Sequence, residues 1–145
     1  MKIATWNVNS INIRLEQVLN WLAKTGTDVL CLQETKCVDE KFPFEEFAAA
    51  GYQTAFTGEK SYNGVAIVSK YEIRDVQKNF HDDADDAPKR LIAATIEGIR
   101  IVNTYIPNGT ELWSEKFTFK LDWLQRLRKM FDETCDRTCD VLLCG

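Results

Sequence analysis

Asp28-Val-Leu-Cys-Leu-Gln33 decides the architecture. Val29 to Leu32 is an unbroken apolar run set between an aspartate and a glutamine. A strand with one wet face alternates apolar and polar residues, whereas a strand covered on both faces does not. The run therefore predicts a strand in the interior of a layered fold, with partners on both sides.

Elements appear in both directions from that strand. Upstream, Leu15, Val18, Leu19 and Leu22 fall at i, i+3, i+4 and i+7, which predicts a helix over 14–24, and Gly26 sits where a C-cap glycine belongs. A short strand over 2–6 precedes it and ends at Asn7. Downstream, 44–50 reads as a short helix closed by Gly51, and 52–57 and 65–69 read as strands. Strands over 91–96 and 99–106 are joined by a tight turn at Glu97-Gly98. A long amphipathic helix over 114–132 carries Phe117, Leu121, Leu124, Leu127 and Phe131 on one side. Residues 140–144 start one more buried strand, and 81–89 and 107–112 read as loops. The order predicts one α/β domain with a mixed sheet and helices on at least one face.

Composition narrows the class. The chain has 145 residues, 45% hydrophobic and 28% charged, enough for a globular domain with its own core. No apolar run approaches the roughly 20 residues that span a bilayer, and the first residues lack a signal-peptide pattern. A cytoplasmic protein with no membrane partner is the expectation. A net charge of −4 argues against a protein that coats nucleic acid nonspecifically. It leaves open an enzyme with a local basic rim whose metal supplies positive charge.

The five cysteines are odd in number and form no CxxC pair. Cys31 and Cys144 lie in apolar runs, where a thiol acts as a small hydrophobe. Cys135 and Cys139 could share a helix turn but have no further ligands beside them in sequence. Free thiols in a reducing compartment are expected rather than a zinc site. The acidic stretch HDDADDAPK (81–89) lacks the ligand-and-glycine spacing of a calcium loop and reads as a solvated surface loop.

Polar residues recur where strands end: Asn7 and Asn9, Glu34, Asn63, Tyr105 and Asn108. Layered α/β folds build sites at such positions. Each residue alone also has a structural reading, as a turn former, a surface glutamate or a packed aromatic.

The segments TWNVNS (5–10), DVLCLQETK (28–36), YNGVAIVSK (62–70), KRLIAATI (89–96) and NTYIPNG (103–109) occur in that order. Together they resemble the successive signature blocks of the exonuclease III / apurinic-apyrimidinic (AP) endonuclease family. FPFEEF (42–47) and DVLLCG (140–145) resemble its connecting blocks, so the likeness covers essentially the whole chain. The wider endonuclease/exonuclease/phosphatase superfamily shares the asparagine and the glutamate. The Thr-Lys after Glu34 and the YIPNG block favour the DNA-repair branch.

The resemblance implies a four-layer α/β sandwich of the DNase I-like kind, of which these residues supply the N-terminal part. It implies a 3′–5′ exodeoxyribonuclease and AP endonuclease, monomeric when complete. Its substrate would be double-stranded DNA with abasic sites or 3′ ends. By matching position, Glu34 and Asn7 resemble the metal site, with Mg²⁺ or Mn²⁺ as the ion. Tyr105 resembles the catalytic tyrosine. Asn9, Lys36, Asn63, Arg90 and Asn108 match substrate-binding or supporting positions. Arg90 stands open between a phosphate contact and a structural ion pair, and Lys116, early in the long helix, reads as an exposed helix lysine before a phosphate contact.

The family mechanism also needs an aspartate with an asparagine two residues on, a further aspartate, and a late histidine. The first of these motifs would begin just after Gly145, and the sole histidine, His81, lies in the acidic loop. The 145 residues alone are therefore expected to be inactive and poorly soluble, with an apolar sheet face left uncovered. Two alternatives stay open: a superfamily relative acting on another phosphodiester such as a phosphoinositide, and a noncatalytic binding module.

Overall fold

β2 (Val29–Gln33) is buried at every position, and the layers around it explain why. The computed structural model describes residues 1–135 and 138–145. β2 pairs in parallel with β1 (Ile3–Asn7) and antiparallel with β4 (Val65–Ser69), which pairs antiparallel with β3 (Gln53–Thr57). A second sheet runs β5 (Arg74–Lys78), β6 (Leu91–Ile96), β7 (Ile99–Thr104) and β8 (Val141–Cys144) in that order. Its first two pairings are antiparallel and its last is parallel.

The two sheets lie face to face, and alternation sorts their residues into separate cores. Val29 and Cys31 of β2 and Val65 and Ile67 of β4 meet Ile92, Ala94 and Ile101 of the second sheet. Leu30, Leu32, Ala66 and Val68 point the other way, onto α1 (Ile11–Thr25) and α2 (Phe44–Ala49). The outer face of the second sheet contributes Leu91, Ala93 and Val102, which pack on Trp123, Leu127 and Met130 of α3 (Glu115–Thr134). The result is helix, sheet, sheet, helix: four layers and three apolar interfaces. Phe47 of α2 is fully buried, and truncating such a ring to alanine costs about 3–5 kcal/mol.

Three expectations need correction. α1 begins at Ile11, not at 14, because its first amides are satisfied by another segment: Ile11 N donates to Thr35 O at 3.0 Å. β5 was not foreseen; it is an edge strand with an exposed, polar pattern and a register irregularity, so it carries no alternation to read. The last strand is not buried throughout: its inner face lies under the first sheet, but its outer face is left partly uncovered, as expected of an exposed apolar sheet face. The residual apolar exposure on β8 is Val141 and Leu143 on the α3 side. Among the described residues no helix is long and apolar enough to cross a membrane.

Candidate active site

β1 and β2 run parallel and finish level, with Asn7 opposite Gln33. Their following loops are locked together by backbone bonds: Val8 N to Gln33 O at 3.0 Å and Ser10 N to Glu34 O at 2.7 Å. The loop after β2 is held by the segment before β4, with Thr35 N to Gly64 O at 3.2 Å and Lys36 N to Asn63 O at 3.0 Å. Gly64 N in turn reaches Lys89 O at 2.8 Å, and Tyr105 N reaches Arg90 O at 2.7 Å. Loops from both sheets thus meet at one end of the sandwich.

The backbone there is unusual. Asn9, Ser10, Glu34, Lys36 and Asn63 all have positive φ, between 44° and 87°. Each such residue costs of order 1–3 kcal/mol and persists only where its surroundings over-determine it. The interlocked loop bonds provide that determination.

Glu34 is the centre. Its Oε1 accepts from Asn7 Nδ2 at 2.7 Å, and its Oε2 lies 3.0 Å from Lys36 Nζ. Lys36 Nζ also donates to Asn9 Oδ1 at 2.5 Å, while Asn9 N donates to Asn7 Oδ1 at 3.1 Å. The Tyr105 phenol lies beside the same carboxylate, close enough for the two groups to shift each other's ionisation. Partial burial opposes ionisation of Glu34, yet Asn7, Lys36 and Tyr105 outweigh it and hold the carboxyl below its ordinary value. Tyr105 moves the opposite way: burial and the adjacent carboxylate raise its phenol, against the pull of Arg90 and Lys36.

Arg90 sits behind Tyr105, its guanidinium 4.7 Å from the ring centroid and one nitrogen donating to Tyr105 O at 3.1 Å. Its Nε is buried without a partner. Asn63 contributes its backbone carbonyl to Lys36 but turns its side chain to Glu59, whose other oxygen accepts from Lys89 N at 3.3 Å. Asn108 lies exposed and accepts from Thr110 N at 3.0 Å, shaping its own loop. Asn7, Asn9, Glu34, Lys36, Tyr105 and Arg90 therefore converge; the side chains of Asn63 and Asn108 do not reach the carboxylate. A 320 Å³ cleft beside them is lined by Thr5, Asn7, Gln33, Tyr105, Ile106 and Gly145.

Residues 4–145 match the model of the endonuclease/exonuclease/phosphatase family. The chain belongs to that family. Exodeoxyribonuclease III of Haemophilus influenzae is 32% identical over 150 residues, which takes in 100% of this chain and 56% of that protein. The chain thus spans about half the length of the curated relatives it matches. An AP endonuclease structure from Archaeoglobus fulgidus superposes with a TM-score of 0.94 at 44% identity, covering 100% of this chain and 56% of that one. The Neisseria 3′ phosphatase NExo, bound to product DNA hairpin, superposes with a TM-score of 0.93 at 43% identity, covering 99% and 56%. The sandwich is the N-terminal part of the DNase I-like fold of these family members.

Sequence reasoning missed two buried polar residues beneath these loops, Gln33 and Asn103. Asn103 of β7 is fully buried and crosses between the sheets, donating to Leu32 O and Ala66 O at 2.9 Å each. Its Oδ1 accepts from Gln33 Nε2 at 2.7 Å, and Gln33 Nε2 also reaches Thr5 Oγ1 at 2.9 Å. Each of these groups would cost about 1–3 kcal/mol if left buried and unpaired. The one available signal was a polar residue closing an apolar run, at Gln33 and at Asn103. That pattern reads equally well as a strand end.

Proposed function

We propose that these residues are the N-terminal portion of a divalent-metal-dependent DNA-repair phosphodiesterase of the exonuclease III type. The parent enzyme would cleave the phosphodiester 5′ to abasic sites in duplex DNA and remove nucleotides or blocking groups from 3′ ends. The observation that carries the reading is the convergence of Asn7, Lys36 and Tyr105 on the single carboxylate of Glu34.

The donors suit a hard cation. Glu34, Asn7 and Tyr105 offer oxygen. One carboxylate with neutral oxygens fits Mg²⁺, or Mn²⁺ in its place, because Mg²⁺ takes few protein ligands and keeps waters. Glu34 and Asn7 would hold the ion. When bound, it supplies charge stabilisation for the phosphate and the leaving oxygen.

The chain's own residues would do the rest. With substrate bound, Tyr105 would turn its single phenolic proton from Glu34 to a phosphate oxygen. Arg90 works through Tyr105 by holding its ring and carbonyl. Lys36, Asn9 and Asn108 meet the DNA backbone, where contacts position the duplex without reading its sequence. Asn63 braces the Lys36 loop. Activation of the attacking water requires a base beyond this constellation, so the 145-residue chain by itself should hydrolyse DNA slower by orders of magnitude.

The test compares the 145-residue chain with the product of the full reading frame on an abasic duplex with Mg²⁺. The full product should nick 5′ to the lesion, lose activity in EDTA and regain it with Mg²⁺ or Mn²⁺. A full product that ignores abasic duplex and 3′ ends but hydrolyses a phosphoinositide would overturn the DNA-repair reading. Robust nicking by the 145 residues alone would overturn the claim that they are catalytically incomplete.

A further inference from the structure

We propose that Gln33 and Asn103 form an inter-sheet clasp that positions Tyr105 against Glu34, an inference that rests on the reading above. Glu34 and Tyr105 directly follow strands of different sheets. Backbone ladders fix register within each sheet, the apolar layer between the sheets is non-directional, and the backbone bond from Gly64 N to Lys89 O ties loops rather than the strands that lead into Glu34 and Tyr105. Hydrogen bonds are directional, and the clasp places them at this end of the interface.

The placement is specific. Gln33 ends β2 immediately before Glu34, and Asn103 of β7 is two residues before Tyr105. Thr5, bonded by Gln33, is two residues before Asn7 on β1. One connected set of side chains therefore touches all three strands that carry the carboxylate and its partners. Asn103 is saturated: both amide protons are given to carbonyls of the first sheet, and its oxygen accepts from Gln33. Gln33 is 3% exposed and Asn103 is 0% exposed, so water does not compete for these bonds. A buried network satisfied in this way specifies one arrangement. Gln33 and Asn103 are positioning residues and touch no substrate.

The experiment uses the full-length enzyme with Gln33→Met, which keeps bulk, removes the amide and leaves Asn103 its two carbonyl bonds. Thr5→Val, paired with Thr5→Ser as the conservative control, loosens the same set from the exposed side. Steady-state kinetics on abasic duplex are measured in the wild-type and Tyr105→Phe backgrounds, with melting curves for each protein. Gln33→Met should lower kcat about tenfold with KM changed less than about twofold. In the Tyr105→Phe background the further loss should be under about threefold, because the positioned phenol is already gone. Thr5→Val should show a smaller loss of the same kind, which Thr5→Ser restores. If Gln33→Met does not fold, the Thr5 pair carries the comparison unchanged. Equal losses in both backgrounds, or a lower melting temperature with unchanged kcat, would overturn the clasp as a positioning device. A wild-type enzyme inactive on abasic duplex would overturn the parent reading, and this inference with it. An active wild type with additive losses overturns only the inference.

Discussion

Asn7 Nδ2 donates to Glu34 Oε1 at 2.7 Å across the open end of a parallel strand pair. An amide from β1 thereby fixes the orientation of a carboxylate at the end of β2. Glu34 keeps a low pKa because Asn7, Lys36 and Tyr105 together outweigh its partial burial. Asn7→Ala should therefore raise the Glu34 pKa, as read by carboxyl carbon NMR on the metal-free chain. The sign for stability follows. A depressed carboxylate contributes stability that is present above its ordinary value of 4.5 and is lost as pH falls through the folded value. The urea midpoint of Asn7→Ala should thus differ most from wild type near neutral pH and converge with it in acid. An unchanged Glu34 titration would mean that the Asn7 contact carries no electrostatic weight.

Glu34→Gln tests the chemistry while keeping the shape. The amide retains an acceptor for Asn7 but loses the charge that draws Lys36 and suits a cation. In the full-length enzyme we expect kcat to fall by roughly 10²–10³-fold, with melting temperature close to wild type. Activity within threefold of wild type would remove Glu34 from the centre of the site.

Gly64 is predicted to tolerate no side chain. Its φ is +89°, and a Cβ there would stand 2.1 Å from Thr35 Oγ1. Thr35 is β-branched and buried, so it has no room to retreat. Gly64→Ala should cost about 2–5 kcal/mol, from the left-handed penalty and the overlap together. It should also displace the backbone that carries Lys36. A urea midpoint within error of wild type would refute the packing argument.

Arg126 is predicted to hold down the acidic loop. It pairs with Asp82 and Asp83, and its guanidinium lies 4.4 Å from the centroid of Phe80, which packs against Trp123. Asp82 is largely exposed and adds little, so the weight falls on Asp83 and the ring. Arg126→Ala should cost about 1 kcal/mol and speed proteolytic nicking within 81–89. Limited proteolysis with mass mapping decides it. Cleavage at an unchanged rate would assign the loop's order to something else.

What could be read from sequence divides along physical lines. β2 and β4 were legible because full burial on both faces leaves an unbroken apolar run. α3 was legible because its one-sided apolar stripe repeats, and Ser114 caps it through Phe117 N at 3.1 Å. β5 was not, because an exposed edge strand needs no apolar face. The start of α1 was not, because Ser10 makes no side-chain cap and the first turn is completed by carbonyls some 25 residues away. The family blocks pointed to Asn7, Glu34 and Tyr105, and the fold places these side by side. Local pattern could not reveal that Asn63 faces Glu59, nor that Gln33 meets Asn103 seventy positions on. The first pairing depends on how the loop between β3 and β4 folds back on itself, and the second exists only after two sheets have stacked.

The left-handed backbone around the carboxylate has a practical consequence for mutagenesis. Asn9, Glu34, Lys36 and Asn63 each occupy a conformation that alanine resists and glycine accepts. An alanine scan across these loops would measure chirality along with chemistry and would inflate every residue's apparent importance. Glycine, or a polar replacement of like shape, isolates what the side chain itself contributes.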